Sequence, residues 1–170
     1  GSTACYHLAR AGLKVLGLEK RVMPRRKLCA GGLSPKAIAL LDCDVSASVE
    51  CAVQGAAIHA RSGQTLHLCS QETRGLIVDR PRFDHLLLQR AVASGALVHE
   101  DEAIVRITPG ALVGVQTGRA TYHARYLIGA DGANSIVARD LAYPRCHNGY
   151  ALECVIPVRH EAVLKDADVP

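Results

Sequence analysis

Residues 1–21 read GSTACYHLARAGLKVLGLEKR, and the fold turns on this stretch. Thr3 to Ala11 is predicted to be a helix, because Ala4, Leu8 and Ala11 fall on one apolar stripe. Gly12 follows as a C-terminal stop. KVLGLEK, residues 14–20, then reads as a short apolar strand that ends in a carboxylate, Glu19. Helix, tight turn, strand and acid, in that order, form the second half of a βαβ unit.

In dinucleotide-binding units of this kind the helix begins at a G-x-G-x-x-G turn. The backbone amides and helix dipole there hold a pyrophosphate. An acid about 20 residues further on closes the second strand and binds the adenosine ribose. Glu19 stands at that kind of distance from Gly1. Gly1 therefore fits the third glycine of the turn, and a first strand with the first two glycines is expected before it. A tag remnant would also give Gly1-Ser2, and a solvated strand end would also give Glu19. The helix–stop–strand–acid order depends on neither.

Downstream, RVMPRRKLCAGGLS (21–34) is a polar loop. Ser34 is a good N-cap and Pro35 suits the first helical position, so a helix from Pro35 to about Leu41 is predicted. GAAIHARSGQTLHLC (55–69) reads as two strands around a turn at Ser62-Gly63, and GLIVD (75–79) as a third. PRFDHLLLQRAVASG (81–95) is a helix with Phe83, Leu87 and Val92 inward, closed by Gly95, and ALVHE (96–100) is a strand. AIVRIT, ALVGVQT and ATYHARY (103–126) form a three-stranded meander. YLIGADG (126–132) reads as a buried strand, ANSIVARDL (133–141) as a helix, and GYALECVIPVRH (149–160) as a return to strand.

Bulk properties exclude several classes. Apolar residues make up 49% of the 170, so the chain can bury a core and is not a disordered segment. Net charge is +4 and aromatics are 4%, which lacks the basic, aromatic-interleaved face of a nucleic-acid binder. No apolar run reaches the ~18 residues that span a bilayer. Seven cysteines without a C-x-x-C pair point to reduced thiols in a cytoplasmic setting rather than a disulfide framework or zinc site. No H-E-x-x-H is present, and no metal site is expected.

Three further stretches make the reading specific. LIGADGANSIVAR (127–139) resembles the G-A-D-G-x-x-S-x-V-R segment of FAD-dependent oxidoreductases of the aromatic-hydroxylase type, through Gly129, Ala130, Asp131, Gly132, Ser135 and Val137. The family arginine falls one place later here, at Arg139. KLCAGGLSPKAI (27–38) resembles the K-P-C-G-G-G-L-S loop of the geranylgeranyl reductase branch, through Lys27, Cys29, Gly31, Gly32, Leu33 and Ser34, with Leu28 and Ala30 replacing Pro and Gly. DRPRFDHLL (79–87) is similar to the family's D-R-x-x-F-D-x-x-L, through Asp79, Arg80, Phe83, Asp84 and Leu87.

The resemblance implies an α/β fold: a Rossmann-like FAD-binding domain without its first strand, a β-meander, and part of a separate antiparallel substrate-domain sheet. It places the FAD domain at residues 1–50 and 80–140 and the partial substrate domain at 51–79 and 141–170. It implies FAD as cofactor, held by Gly1, Glu19, Lys27, Gly31, Gly32, Arg80, Asp131 and Gly132. The Asp131-Gly132 turn would help hold the flavin's pyrophosphate and ribose region, and Arg80 would lie near the flavin. The electron donor would be NADPH or a ferredoxin-type protein. The substrate would be a prenyl or lipid-like molecule, which leaves room for peripheral membrane contact by a longer protein. A monooxygenase of an aromatic or lipid-like substrate would share every flavin motif. The chain resembles the N-terminal half of a longer enzyme, clipped at both ends and expected to be inactive alone; an inactive fragment or folded remnant with no cofactor is the remaining alternative.

Cys29 is the expected catalytic residue. Gly31 and Gly32 lack side chains, so this loop can lie against a flat ring. Lys27 and the helix start after Ser34 would favour a thiolate at Cys29. Arg25, Arg26 and Lys27 would screen cofactor phosphates or meet a pyrophosphate on the substrate. Each assignment has a plainer counterpart: a small buried thiol for Cys29, a solvated loop for Arg25, Arg26 and Lys27, a salt-bridged helix start for Arg80, and an ordinary strand-to-helix turn capped by Asn134 or Asp131.

Overall fold

The helix–stop–strand start is present in the computed structural model, which describes residues 1–144, 149 and 151–153. In chain order the elements are α1 (Ser2–Arg10), β1 (Leu16–Leu18), β2 (Gly32–Leu33), α2 (Pro35–Ala39), a 3-10 turn (Ser46–Ser48), β3 (Val49–Val53), β4 (Gly55–His59), β5 (Thr65–Cys69), β6 (Gly75–Val78), α3 (Arg80–Ala93), β7 (Leu97–His99), β8 (Ile104–Thr108), β9 (Val113–Thr117), β10 (Thr121–Ala124) and α4 (Ile136–Asp140). They fall into two compact units, Gly1–Arg26 with Pro81–Tyr150, and Lys27–Arg80 with Ala151–Pro170.

In the first unit, Gly12 ends α1 at φ +78°. Its N–H donates to Ala9 O at 2.9 Å and that of Leu13 to Leu8 O at 3.1 Å, the paired bonds of a Schellman stop. The turn delivers β1 alongside β7 in parallel, with Leu16 opposite Leu97 and Leu18 opposite His99. The buried face of α1 differs from the predicted stripe. Tyr6 is buried with Ala91 and Ala96, and Cys5, Ala9 and Val15 pack around them, whereas Ala11 is exposed. The aromatic ring decides this rotation: the Arg90 guanidinium sits 3.6 Å from its centroid, and Arg10 Nη1 donates to its hydroxyl at 2.7 Å. The same correction applies to α3, where Phe83 and Ala91 are buried and Val92 is half exposed. Positions 83, 87 and 91 keep to one helical face, and Val92 lies about 100° beyond 91.

The meander forms as expected, in the order β10-β9-β8, all antiparallel. Ile107 and Val115 on its inner face pack against Val137 of α4, with Leu18, Tyr122 and Leu127 around them. Asp140 ties the two together by accepting Ile107 N–H at 2.8 Å. Residues 126–130 are a correction: they are not a strand, and Tyr126 and Ile128 are exposed. Among the described residues no strand pairs with their backbone, although Leu127 packs against the Val137 cluster, and a strand exists only through its ladder.

In the second unit, β6 is the centre of an antiparallel sheet ordered β2-β6-β3. The β4–β5 hairpin turns at Gly63, φ +87°, as predicted, but forms its own two-stranded sheet. The expected single sheet from Gly55 to Val78 is thus divided between two. Pairing to Gly32-Leu33 and to Val49–Val53 claims both edges of β6, so no edge remains for the hairpin. The strand expected over 149–160 falls outside the described residues, apart from Gly149 and 151–153.

Candidate functional site

Four of the residues singled out by sequence lie in the first unit. Gly1 is the N-cap of α1, with no side-chain cap bond and no acid in the first turn. The first amides of a nine-residue helix therefore point outward with no internal partner, the donor set an anion such as a pyrophosphate needs. A Cβ built on Gly1 would lie 3.8 Å from Ala130 Cβ, so this helix start and the approach to Asp131 are neighbours.

Glu19 follows β1 directly and is partly exposed. Its Oε1 accepts Arg21 N–H at 3.0 Å and faces Arg25 Nε at 3.7 Å. Among the described residues both contacts use Oε1, and Oε2 is the oxygen that would accept from a ligand hydroxyl. Arg25 turns its other end to Asp84 on α3, Nη1 to Oδ2 at 3.2 Å. The loop arginine read as a phosphate screen or solvated cation is therefore a bridge between two carboxylates.

The Asp131 carboxylate is committed to α4. It accepts Ser135 Oγ–H at 2.6 Å, Ile136 N–H at 2.7 Å and Val137 N–H at 3.2 Å. Partial burial pushes this carboxyl up, but the Ser135 hydroxyl and the helix amides outweigh it and hold it below the usual range. Gly132 beside it takes φ +82°. Ser135 is the N-cap of α4, accepting Ala138 N–H at 2.9 Å; Asp131→Ala leaves that bond, removes the acceptor of the Ile136 and Val137 amides, and is expected to cost about 1 kcal/mol of stability at neutral pH. Because the folded-state pKa is depressed, this contribution is present above the unfolded value of about 4 and disappears as pH falls through the folded one. Urea melts of wild type and variant at pH 7 and pH 2.5 test this; an equal gap at both would show that the carboxylate charge is not what holds these amides.

The other five lie in the second unit. Lys27 is exposed. Cys29 is exposed too, not the buried small thiol. Its Sγ accepts Gly31 N–H at 3.4 Å, and that amide first, then a hydrogen bond from the Arg80 side chain, holds the thiol below its ordinary range. The sequence reading assigned this role to Lys27 and the start of α2; the loop backbone and Arg80 fill it instead. Gly31 sits at φ +78°, and its carbonyl accepts Val78 N–H at 3.0 Å. Gly32 pairs with Ile77 and Leu33 with Leu76, so β2 clamps the loop onto β6. Ser34 caps α2 as predicted, accepting Ala37 N–H at 3.2 Å. Cys29, Gly31 and Arg80 are thus brought together.

Sequence reasoning missed the run His99-Glu100-Asp101-Glu102. Glu19 N–H donates to His99 O at 2.9 Å, and Glu102 N–H to Glu19 O at 3.0 Å. Glu100 Oε2 accepts Met23 N–H at 2.7 Å. The clue was the acidic run itself, placed just after a strand that pairs with the Glu19 strand. Among the described residues no cluster of His, Cys, Asp and Glu is placed to hold a metal ion, and no helix is long and apolar enough to cross a membrane.

Comparison with known proteins bears on the cofactor. An uncharacterised protein of Methanosarcina barkeri is 32% identical over 97% of this chain and 43% of its own length. Digeranylgeranylglycerophospholipid reductase 2 of Methanothermobacter thermautotrophicus is 31% identical over 82% of this chain and 38% of its own length. The crystal structure of a geranylgeranyl bacteriochlorophyll reductase-like protein from Thermoplasma acidophilum superposes with a TM-score of 0.61 at 25% identity, over 74% of this chain and 34% of that one. The chain therefore spans roughly two fifths of the length of these curated relatives. The family described as FAD binding domain matches residues 1–164. With an uncapped helix start, an acid after β1 and a match over almost the whole sequence, the chain belongs to the FAD-binding-domain family of flavoproteins.

Proposed function

We propose that the chain is the FAD-holding part of an oxidoreductase that reduces C=C bonds of a prenyl lipid. The observation that carries this reading is Cys29, exposed in a glycine-bearing loop and hydrogen-bonded to Gly31 N–H and Arg80. Support comes from relatives named as reductases of geranylgeranyl lipids. Bound FAD supplies hydride chemistry. The residues of this chain hold the cofactor and handle a proton. The α1 start would take the pyrophosphate and Glu19 the adenosine ribose. Gly31, Gly32, Lys27 and Arg80 would border the flavin, and the Asp131-Gly132 turn would shape the approach.

Reducing an alkene adds a hydride to one carbon and a proton to the other. Cys29 Sγ–H is the proton source in this reading. The C–H bond forms as the S–H bond breaks, and the thiolate stays stabilised by Gly31 N–H and Arg80 until water reprotonates it. A lowered thiol pKa makes that transfer easier.

The reading is tested in the full-length protein with reduced flavin and a geranylgeranyl lipid under anaerobic conditions. Mass gain of two hydrogens per double bond supports it. No saturation of the lipid, with oxygen-dependent hydroxylation of an aromatic or lipid-like substrate, would make the protein a monooxygenase instead. A purified protein without flavin absorbance would sink both. Whether NADPH or a ferredoxin-type protein reduces the flavin is decided in the same assay by supplying each.

The ribose role makes its own prediction. Glu19→Ala is expected to weaken FAD binding by about 1–3 kcal/mol, because ribose hydroxyls lose their acceptor. Isothermal titration reads the change, and unaltered affinity would remove Glu19 from the site.

A further inference from the structure

Glu102 is the one charged residue in the buried class among the described residues, at 4% exposure. It lies neither in the cysteine loop nor at the start of α1. Burying a carboxylate costs stability that a well-packed apolar side chain would not. Something about the place must require it.

Its surroundings show full commitment. Oε1 accepts the Thr117 hydroxyl and the Tyr122 hydroxyl, each at 2.7 Å. Oε2 lies 3.1 Å from His99 Nδ1. The Thr117 hydroxyl has one proton and also lies 3.1 Å from Ala120 O; the shorter, charge-assisted contact takes it. Tyr122 donates to Glu102, so its oxygen is an acceptor for His99 Nδ1–H at 3.0 Å. The two acceptors facing Nδ1 set the tautomer with hydrogen there. The hydrogen bonds from Thr117 and Tyr122, in that order, hold the Glu102 carboxyl below its usual range despite burial, and Glu102 raises Tyr122 in turn.

The backbone of the same two residues grips Glu19. His99 O accepts its N–H at 2.9 Å, and its carbonyl accepts Glu102 N–H at 3.0 Å. Between His99 and Glu102 the chain passes through Asp101 at φ +53°, a left-handed conformation that a non-glycine residue holds only when its surroundings impose it. The side-chain pair of His99 and Glu102 closes this turn, and Thr117 on β9 and Tyr122 on β10 anchor the pair to the meander. β1 has three residues and is too short to fix its own end.

We propose that Glu102, braced by His99, Thr117 and Tyr122, is a positioning residue that sets Glu19 to receive the adenosine ribose of the dinucleotide. The inference rests on the ribose reading of Glu19 and deepens it. The meander, which bears none of the residues expected to touch cofactor, acquires a part in binding: it is the rigid support of a carboxylate at the end of another sheet. Supports of this kind act through placement, so their loss is felt only by the ligand group being placed.

The test is isothermal titration of the full-length protein with FAD and with an FAD analogue lacking both adenosine ribose hydroxyls. Glu102→Gln keeps the shape but gives Thr117 and Tyr122 a weaker, half-donating partner; Tyr122→Phe removes one brace and remains informative if the first variant fails to fold. FAD affinity should fall about 10-fold in Glu102→Gln and about 3-fold in Tyr122→Phe, with the analogue unaffected and no further loss when either change is added to Glu19→Ala. An equal fall for FAD and analogue, or losses additive with Glu19→Ala, would make Glu102 a general scaffold residue and overturn the proposal. Unchanged FAD affinity in both variants would overturn it too. If Glu19→Ala alone leaves FAD affinity intact, the ribose reading itself has failed, and that arm is read separately from the others.

Discussion

Cys29→Ser in the full-length protein is expected to leave FAD bound and to slow alkene reduction by about 10²–10⁴-fold, the range lost with a positioned proton donor. Serine keeps the size and can accept the Gly31 N–H bond made by Sγ. It is a far weaker acid, so neither that amide nor Arg80 can bring its proton within reach of a neutral-pH reaction. Flavin absorbance after gel filtration checks occupancy, and single-turnover oxidation of the reduced protein by a prenyl lipid reads the step itself. Wild-type turnover would reduce Cys29 to a bystander. Loss of flavin together with fold would show that the thiol is structural. Arg80→Lys is the informative companion: it keeps the charge, removes the planar fork of donors, and should fall between wild type and Cys29→Ser.

Gly31→Ala is expected to lower stability by about 3 kcal/mol, the cost of an unfavourable backbone conformation joined to a steric displacement. Gly31 sits at φ +78°, and a Cβ there would fall on the Val78 carbonyl oxygen. That contact is with strand backbone, which cannot swing aside as the tip of a side chain can. Relief requires β2 to leave β6, and the Cys29 loop would leave with it. Thermal melts should show a midpoint lower by about 10 °C for a chain of this size. Gly32→Ala is the control. Its Cβ would meet only Ile77 Cδ1 at 3.9 Å, and its φ is not in the left-handed region, so its midpoint should barely move. Equal melts for wild type and Gly31→Ala would mean that the loop is not clamped where the structure has it.

Much of this architecture is written in short-range pattern. Gly12 after an apolar helix, the alternation in residues 103–126, and Ser34-Pro35 before α2 each specify a local backbone state, because caps, left-handed stops and two-residue periodicity act within a turn or a strand. Helix faces were less legible. Ala4, Leu8 and Ala11 satisfy helical spacing as well as Cys5, Tyr6 and Ala9 do, and the choice belongs to Arg90, far along the chain, lying over the Tyr6 ring. Residues 126–130 were misread for a related reason: an apolar run signals that a segment can be a strand, whereas a partner is what makes it one.

Family and candidate residues are legible in the linear order of the chain: the helix–stop–strand–acid order, the Asp131-Gly132 turn and the Cys29 loop are contiguous motifs, readable without knowing what packs on them. What the fold adds is the set of partners that those residues meet. It gave the Asp131 carboxylate to α4, turned Arg25 into a bridge from Glu19 to Asp84, put Arg80 rather than Lys27 on Cys29, and joined Glu102 to hydroxyls from two strands of the meander. Apart from the Asp131 contacts and the Glu19–Arg25 pair, these partners are distant in sequence. A titratable side chain takes its chemistry from the charges and donors within a few ångströms, and for most of these groups the fold, not the neighbouring residues in the chain, sets which ones those are.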